Sequence, residues 1–197
     1  MTKQDRKVTS KGLKARSALL EAALESFSRS GYGAASVADI VAAAGLTKNH
    51  LFYHFGSKEA LAAAALEQAL SIWRAELALP AGIFPEAPRQ LGFIIRKLAE
   101  GRQLQSLRLL GVLRLDPASL PAELATQLNA ADTELSDFWR RLLKGLKSQG
   151  GIAASEKARA LSGSIICLLY GAAIADDGNN GMFASQVAFL GRLLKNE

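Results

Sequence analysis

Leu19, Leu20, Ala22, Ala23, Leu24 and Phe27 recur at helical spacing, with Arg16, Glu21, Glu25 and Arg29 falling largely on the other side, so the chain opens on a helix with one buried face. Gly31 ends that helix. Ser36 is placed to cap a short second one, with Asp39 three residues later as in a capping box and Val37, Ile40 and Val41 as its apolar side. Gly45 closes it, and after a turn of only Ala44, Gly45 and Leu46, Thr47 caps a third helix running from Lys48 to about Phe55. Two short helices joined by a Gly-containing turn of this length form a helix-turn-helix pattern.

Gly56 and Ser57 break and recap the chain. Lys58 to about Leu79 then reads as one long helix rich in Ala and Leu, and Pro80, Gly82, Pro85 and Pro88 mark a loop. Further helices are predicted at about 86–100, 102–115, 121–148, 155–175 and 182–195, separated by Gly101, Asp116-Pro117 with Pro121, Gly150-Gly151, and the turn from Asp176 to Gly181. The expected fold is all-α with about nine helices. It divides into residues 1–60, a basic arm and helix-turn-helix domain, and residues 61–197, a helical body.

Composition fits this picture. Hydrophobic residues make up 49% of the 197, aromatics only 7%, and five prolines leave room for long helices. The longest strongly apolar run, Ile165 to Ala175, is shorter than the roughly 20 residues of a membrane span, and the start of the chain lacks the apolar core of a signal peptide. The chain is therefore expected in the cytoplasm. Its single cysteine, Cys167, excludes an internal disulfide and a multi-cysteine zinc site. Cys167 sits in an apolar run without basic neighbours, so it is expected to be a buried structural thiol.

The net charge of +6 is concentrated at the start: residues 1–60 carry nine Lys and Arg against five Asp and Glu. Lys3, Arg6, Lys7, Lys11, Lys14 and Arg16 face only Asp5 there. Such an arm suits phosphates or an anionic membrane, and equally a solvated tail.

The segment RSALLEAALESFSRSGYGAASVADIVAAAGLTKNHLFYHFGSKEAL, from Arg16 to Leu61, closely resembles the DNA-binding domain of the TetR family. The resemblance rests on the ordered set LLEAAL, GY, SVADI, AAGLT, LFYHF and SKEAL. It implies a regulator, commonly a repressor, whose hold on double-stranded operator DNA is controlled by a small effector, with the last two helices pairing with those of a second subunit in a homodimer. Lys48, Asn49, His50 and Phe52 then match base-facing positions, and Ser36, Thr47, Tyr53, His54 and Lys58 the neighbouring cap and phosphate positions. The chemistry agrees: lysine donates to guanine, asparagine pairs with adenine, and phenylalanine packs on a thymine methyl. Asn49-His50 replaces the small pair common in the family, and Phe52 its usual tyrosine, so the operator sequence does not transfer.

The body offers Leu161, Ile165, Leu168 and Leu169, and Phe183, Val187, Leu190 and Leu194, as apolar stripes for pairing, with Gly163 and Gly171 permitting close approach. Those residues equally suit core. Trp73, Phe93, Phe138, Trp139 and Tyr170, with Arg96 or Arg108 as polar anchor, are candidates for an effector pocket wall that favours a hydrophobic or aromatic molecule. No catalytic set, resident cofactor or metal site is expected. Both histidines lie in the third helix, His50 and His54 lack a third ligand, and Asp176-Asp177-Gly178-Asn179-Asn180-Gly181 has turn composition and is too short for an EF-hand loop. An all-α enzyme and a membrane-surface protein are the competing classes, and sequence-selective DNA binding separates both from a regulator.

Overall fold

A computed structural model describes residues 10–149 and 158–195. The described part of the basic arm is helical: α1 (Ser10–Ala34) already contains Lys11, Lys14 and Arg16, whereas Lys3, Arg6 and Lys7 lie outside the described residues, as does the Gly150-Gly151 break. There follow α2 (Val37–Ala43), α3 (Lys48–His54) and α4 (Lys58–Trp73). The last passes through a π-helical stretch (Arg74–Ala78) into a final turn, α5 (Leu79–Ala81). The body continues with α6 (Ala87–Ala99), α7 (Leu104–Leu115), a 3₁₀ turn (Pro117–Ser119), α8 (Ala122–Ser148), α9 (Ala158–Ala175) and α10 (Met182–Lys195).

Every predicted helix is present among the described residues, and most boundaries differ by a residue or two. The exceptions are α1, which begins at Ser10 and resumes past Gly31 to Ala34, and Pro80, while the predicted start of α9 at 155 lies outside the described residues. Pro80 predicts an end to the long helix, yet the helix carries through it. Pro80 has no N–H to donate. Ahead of it the chain winds one residue wider, with the Leu79 N–H donating to the carbonyl of Arg74, five residues back.

The core is continuous from Leu19 in α1 to Leu194 in α10. α1 packs on α4 and α7, α9 lies against α7, α8 and α10, and α10 also covers α6. Gly31 sits at the bend of α1 with φ 78° and ψ 176°, backbone that only glycine adopts without strain. It is buried, and a Cβ there would stand 3.6 Å from Cγ1 of Val112 on α7. Gly31→Ala is expected to cost about 1–3 kcal/mol, because the bend must distort where the head meets the body. A urea midpoint equal to that of the parent would contradict this.

Three polar clusters join the helices. The Arg74 guanidinium, at the start of the π stretch, donates to both carboxylate oxygens of Glu134 on α8 (2.8 and 2.7 Å) and to Glu67 (2.7 Å). The hydrogen bond from Arg74 holds the Glu134 carboxyl below the ordinary range despite partial burial. Arg114 on α7 pairs with Asp132 on α8, which also accepts from the Tyr170 hydroxyl at 3.1 Å. Arg108, a candidate pocket anchor, donates to the carbonyls of Ala173 and Asp176 and so caps the end of α9.

The turn after α9 is built by its own side chains. Asp176 accepts from the N–H groups of Gly178 and Phe183, and Asp177 from those of Asn179 and Asn180.

The apolar stripes divide differently from the expected pairing faces. Ile165 and Leu169 on α9, and Phe183, Val187, Leu190 and Leu194 on α10, are buried within the subunit, with Leu161 and Leu168 packed against them. The faces turned outward are Gly163, Cys167, Gly171 and Ile174 on α9 and Met182, Phe189 and Leu193 on α10. Cys167 is therefore exposed rather than buried. Its helix is apolar on both sides: α9 has 18 residues and a mean hydropathy of 1.6, long and apolar enough by those two measures to cross a membrane, a match the run from Ile165 alone does not reveal. Its inner side is core of this fold.

Candidate nucleic-acid interface

Local capping sets the geometry of α2 and α3. The Ser36 hydroxyl accepts from the Asp39 N–H (3.1 Å), as its position predicts. At the other end of α2 Gly45 takes φ 64°, and the Leu46 N–H returns to the Val41 carbonyl at 2.8 Å, closing the helix with a left-handed glycine. This turn aims α3 across α2. Leu51 is wholly buried and fixes α3 to the head, while Phe55 is half-buried beneath the Arg16 guanidinium (5.0 Å).

With Leu51 inward, Asn49, Phe52 and Tyr53 occupy the opposite side of α3, and Lys48 and His50 flank them. Phe52 is 52% exposed and Tyr53 67%, unusual for aromatic rings unless something else covers them. Lys48, Asn49 and His50 are also exposed, and His54 is half-buried against the edge of the Tyr53 ring (5.0 Å).

His50 has a further task. Its Nδ1 accepts the Thr47 N–H at 3.3 Å and lies 2.8 Å from the Thr47 hydroxyl, so it completes the cap of its own helix. A neutral imidazole accepting at Nδ1 carries its proton on Nε2, which leaves a single donor for anything beyond the helix.

Lys58 stands at the start of α4, after a turn made by Gly56 (φ 83°) and the Ser57 cap (3.1 Å to the Ala60 N–H). Its ammonium rests 4.3 Å over the ring of Tyr32, and the Tyr32 hydroxyl donates to Glu59 at 2.9 Å. Burial lowers the Lys58 ammonium from its ordinary range, with Glu59 opposing, and pushes the Tyr32 hydroxyl up to about 12. Tyr32 and Glu59 escaped the sequence reading as partners of this lysine. The GY and SKEAL motifs were the available signal, but 27 residues separate Tyr32 from Glu59.

Among the described residues the effector-wall candidates fall into separate contacts. Trp73 and Trp139 are buried, with Phe138 set edge-on between them (5.3 and 5.7 Å). Phe93 packs on Phe84, with Arg96 near its ring, and Tyr170 turns to Asp132. Phe138 alone among them lines a cleft of about 300 Å³ between the end of the long helix, α6 and α8.

Residues 19–65 match the family model for bacterial regulatory proteins of the tetR family. Over 75 residues the chain is 43% identical to the HTH-type transcriptional regulator RutR of Escherichia coli (strain K12), covering 38% of this chain and 34% of RutR, so about a third of that relative's length is spanned. The whole fold matches a TetR-family transcriptional regulator from Agrobacterium tumefaciens with a TM-score of 0.79 at 20% identity, covering 93% of this chain and 99% of the other. It also matches AibR, solved in complex with isovaleryl coenzyme A and operator DNA, with a TM-score of 0.75 at 17% identity over 92% and 98% of the two chains. With the family's DNA-binding motifs in order along α1 to α4, residues 19–65 form a DNA-binding domain of the tetR family of bacterial regulatory proteins, and the body beneath them has the fold of the TetR-family structures it matches.

Proposed function

We propose that the chain is a cytoplasmic transcriptional regulator, acting as a repressor, that binds operator DNA as a homodimer and is released by a small effector. The exposed side of α3 carries the reading: Lys48, Asn49, Phe52 and Tyr53 stand out from a helix anchored by Leu51, on a head whose charge balance is positive. Lys48 and Asn49 read base edges, Phe52 packs on a thymine methyl, and Ser36, Tyr53, His54 and Lys58 hold phosphates. Thr47 and His50 set the helix start, with His50 offering its Nε2–H to a base acceptor. The effector enters the cleft at the end of the long helix, and AibR, of the same fold, was solved with both a ligand and DNA. No catalytic step is involved.

Gel shift with DNA flanking the chain's own gene, repeated across salt concentrations, tests the reading. It requires a sequence-selective, salt-sensitive shift. Shifts of all duplexes alike, or of none, would remove it.

Pairing through the outward faces of α9 and α10 covers Phe189, Leu193 and Ile174, and the bare backbones of Gly163 and Gly171, where no other element among the described residues would come within 4 Å of an added Cβ, admit a close neighbour. Phe189→Lys with Leu193→Lys is expected to halve the mass measured by sedimentation, because two charges cannot be desolvated there without partners. A parent chain that sediments as a monomer at micromolar concentration would contradict the assembly.

A further inference from the structure

The cleft between the long helix, α6 and α8 is lined on one side by consecutive turns of α8, Phe138, Arg141, Leu142 and Gly145, and on the other by Ala78, Pro85 and Ala87. Small residues let two of these helices meet at one edge of it. α8 and α6 approach so closely that a Cβ on Gly145 would stand 2.8 Å from the Cβ of Ala87, and the side chain of Gln90 donates to the Phe84 carbonyl at 2.6 Å, pinning the loop that forms the rim.

The charge of this lining is one-sided. Among the described residues Arg141 is its one charged residue; it is exposed and makes no hydrogen bond or ion pair there, its charge acting only at longer range on Glu134. The nearby acids are engaged: Glu134, two turns back, is held by Arg74, Asp137 by Arg140 at 2.6 Å, and Glu86, between Pro85 and Ala87 on the rim, pairs with Arg89 at 3.6 Å. From Phe138 to Gln149 the helix carries Arg140, Arg141, Lys144 and Lys147 and no acid. Arg141 lies two turns before the end of α8, beyond the reach of the last carbonyls that would blunt its charge.

We infer that this cleft takes a small organic anion, its carboxylate or phosphate on Arg141 and its apolar body against Phe138 and Leu142. The inference rests on the reading of the chain as an effector-controlled regulator and narrows the expected hydrophobic or aromatic effector to an anionic one. Such a ligand touches Ala78 in the π stretch, the far end of the helix that begins beside α3, which gives its binding a direct line to the head.

Calorimetry with 3-phenylpropanoate, 3-phenylpropan-1-ol, 3-phenylpropylamine and 3-phenylpropyl phosphate tests it, with duplex binding by the same parent preparation measured alongside. The parent should bind one or both anions at least about tenfold more tightly than the alcohol or the amine, and the stronger of the two names the headgroup. Arg141→Gln should erase the preference, and Arg141→Glu should transfer it to the amine, a reversal that misfolding cannot produce. Equal binding of anion and alcohol by the parent, or an anion affinity unchanged in both variants, would overturn the inference while leaving a duplex shift intact. Loss of the duplex shift with anion selectivity preserved would overturn the regulator reading instead.

Discussion

A chain carrying both Lys48→Ala and Asn49→Ala is expected to lose sequence-selective DNA binding while remaining folded. Both side chains are exposed on α3 and neither contributes to the core, so the melting curve should move by no more than about 0.5 kcal/mol. Each base contact of this kind is worth about 1–3 kcal/mol of discrimination, so a preferred duplex should lose about 30-fold or more in affinity. The remaining binding should be salt-sensitive and blind to sequence, because Ser36, Tyr53 and Lys58 are left to meet phosphates. Selection from a random duplex pool checks this, and recovery of the parental consensus by the double variant would mean that α3 does not read bases.

The second large effect is on stability. Trp139 is 1% exposed and sits at the middle of α8 with the edge of Phe138 against it, so Trp139→Ala leaves a cavity that the helices around it cannot close. The expected loss is about 3–5 kcal/mol, a large share of the stability of an ordinary domain. Phe52→Ala removes another aromatic ring, but one already exposed, and should leave the unfolding midpoint nearly unchanged. Denaturant unfolding followed by circular dichroism separates the two, and similar losses in both variants would refute the assignment of Trp139 to the core and Phe52 to the interface.

What the sequence revealed and what it hid divide along the range of the interactions. The head was legible because its devices are local. Ser36 and Ser57 cap helices three residues from the groups they serve, His50 reaches back three residues to the Thr47 N–H, and Gly45 and Gly56 take left-handed backbone at the breaks. Periodicity also located the body helices, with 86–100 standing against the observed Ala87–Ala99. It could not say which side of an apolar helix goes inward. On α9 both sides are apolar, and on α10 Phe189 and Leu193 form a second stripe beside Phe183, Val187, Leu190 and Leu194, so the choice belongs to packing between distant segments. Cys167 was misplaced for the same reason. The pocket reading favoured large aromatic rings, but such rings fill space, and the cleft exists where alanine, glycine and proline leave it unfilled.

The π stretch from Arg74 to Ala78 also bears on how a helix of this length can move. A π turn holds one residue more than an α turn, so whatever lies beyond it is turned by about 100° and set about 1.5 Å from where an uninterrupted helix would carry it. The end of the long helix therefore presents Ala78 and the turn that follows on a different side from the one the spacing of the preceding residues would give, and Arg74, clasped to Glu134 at the start of the stretch, fixes that change of phase against α8.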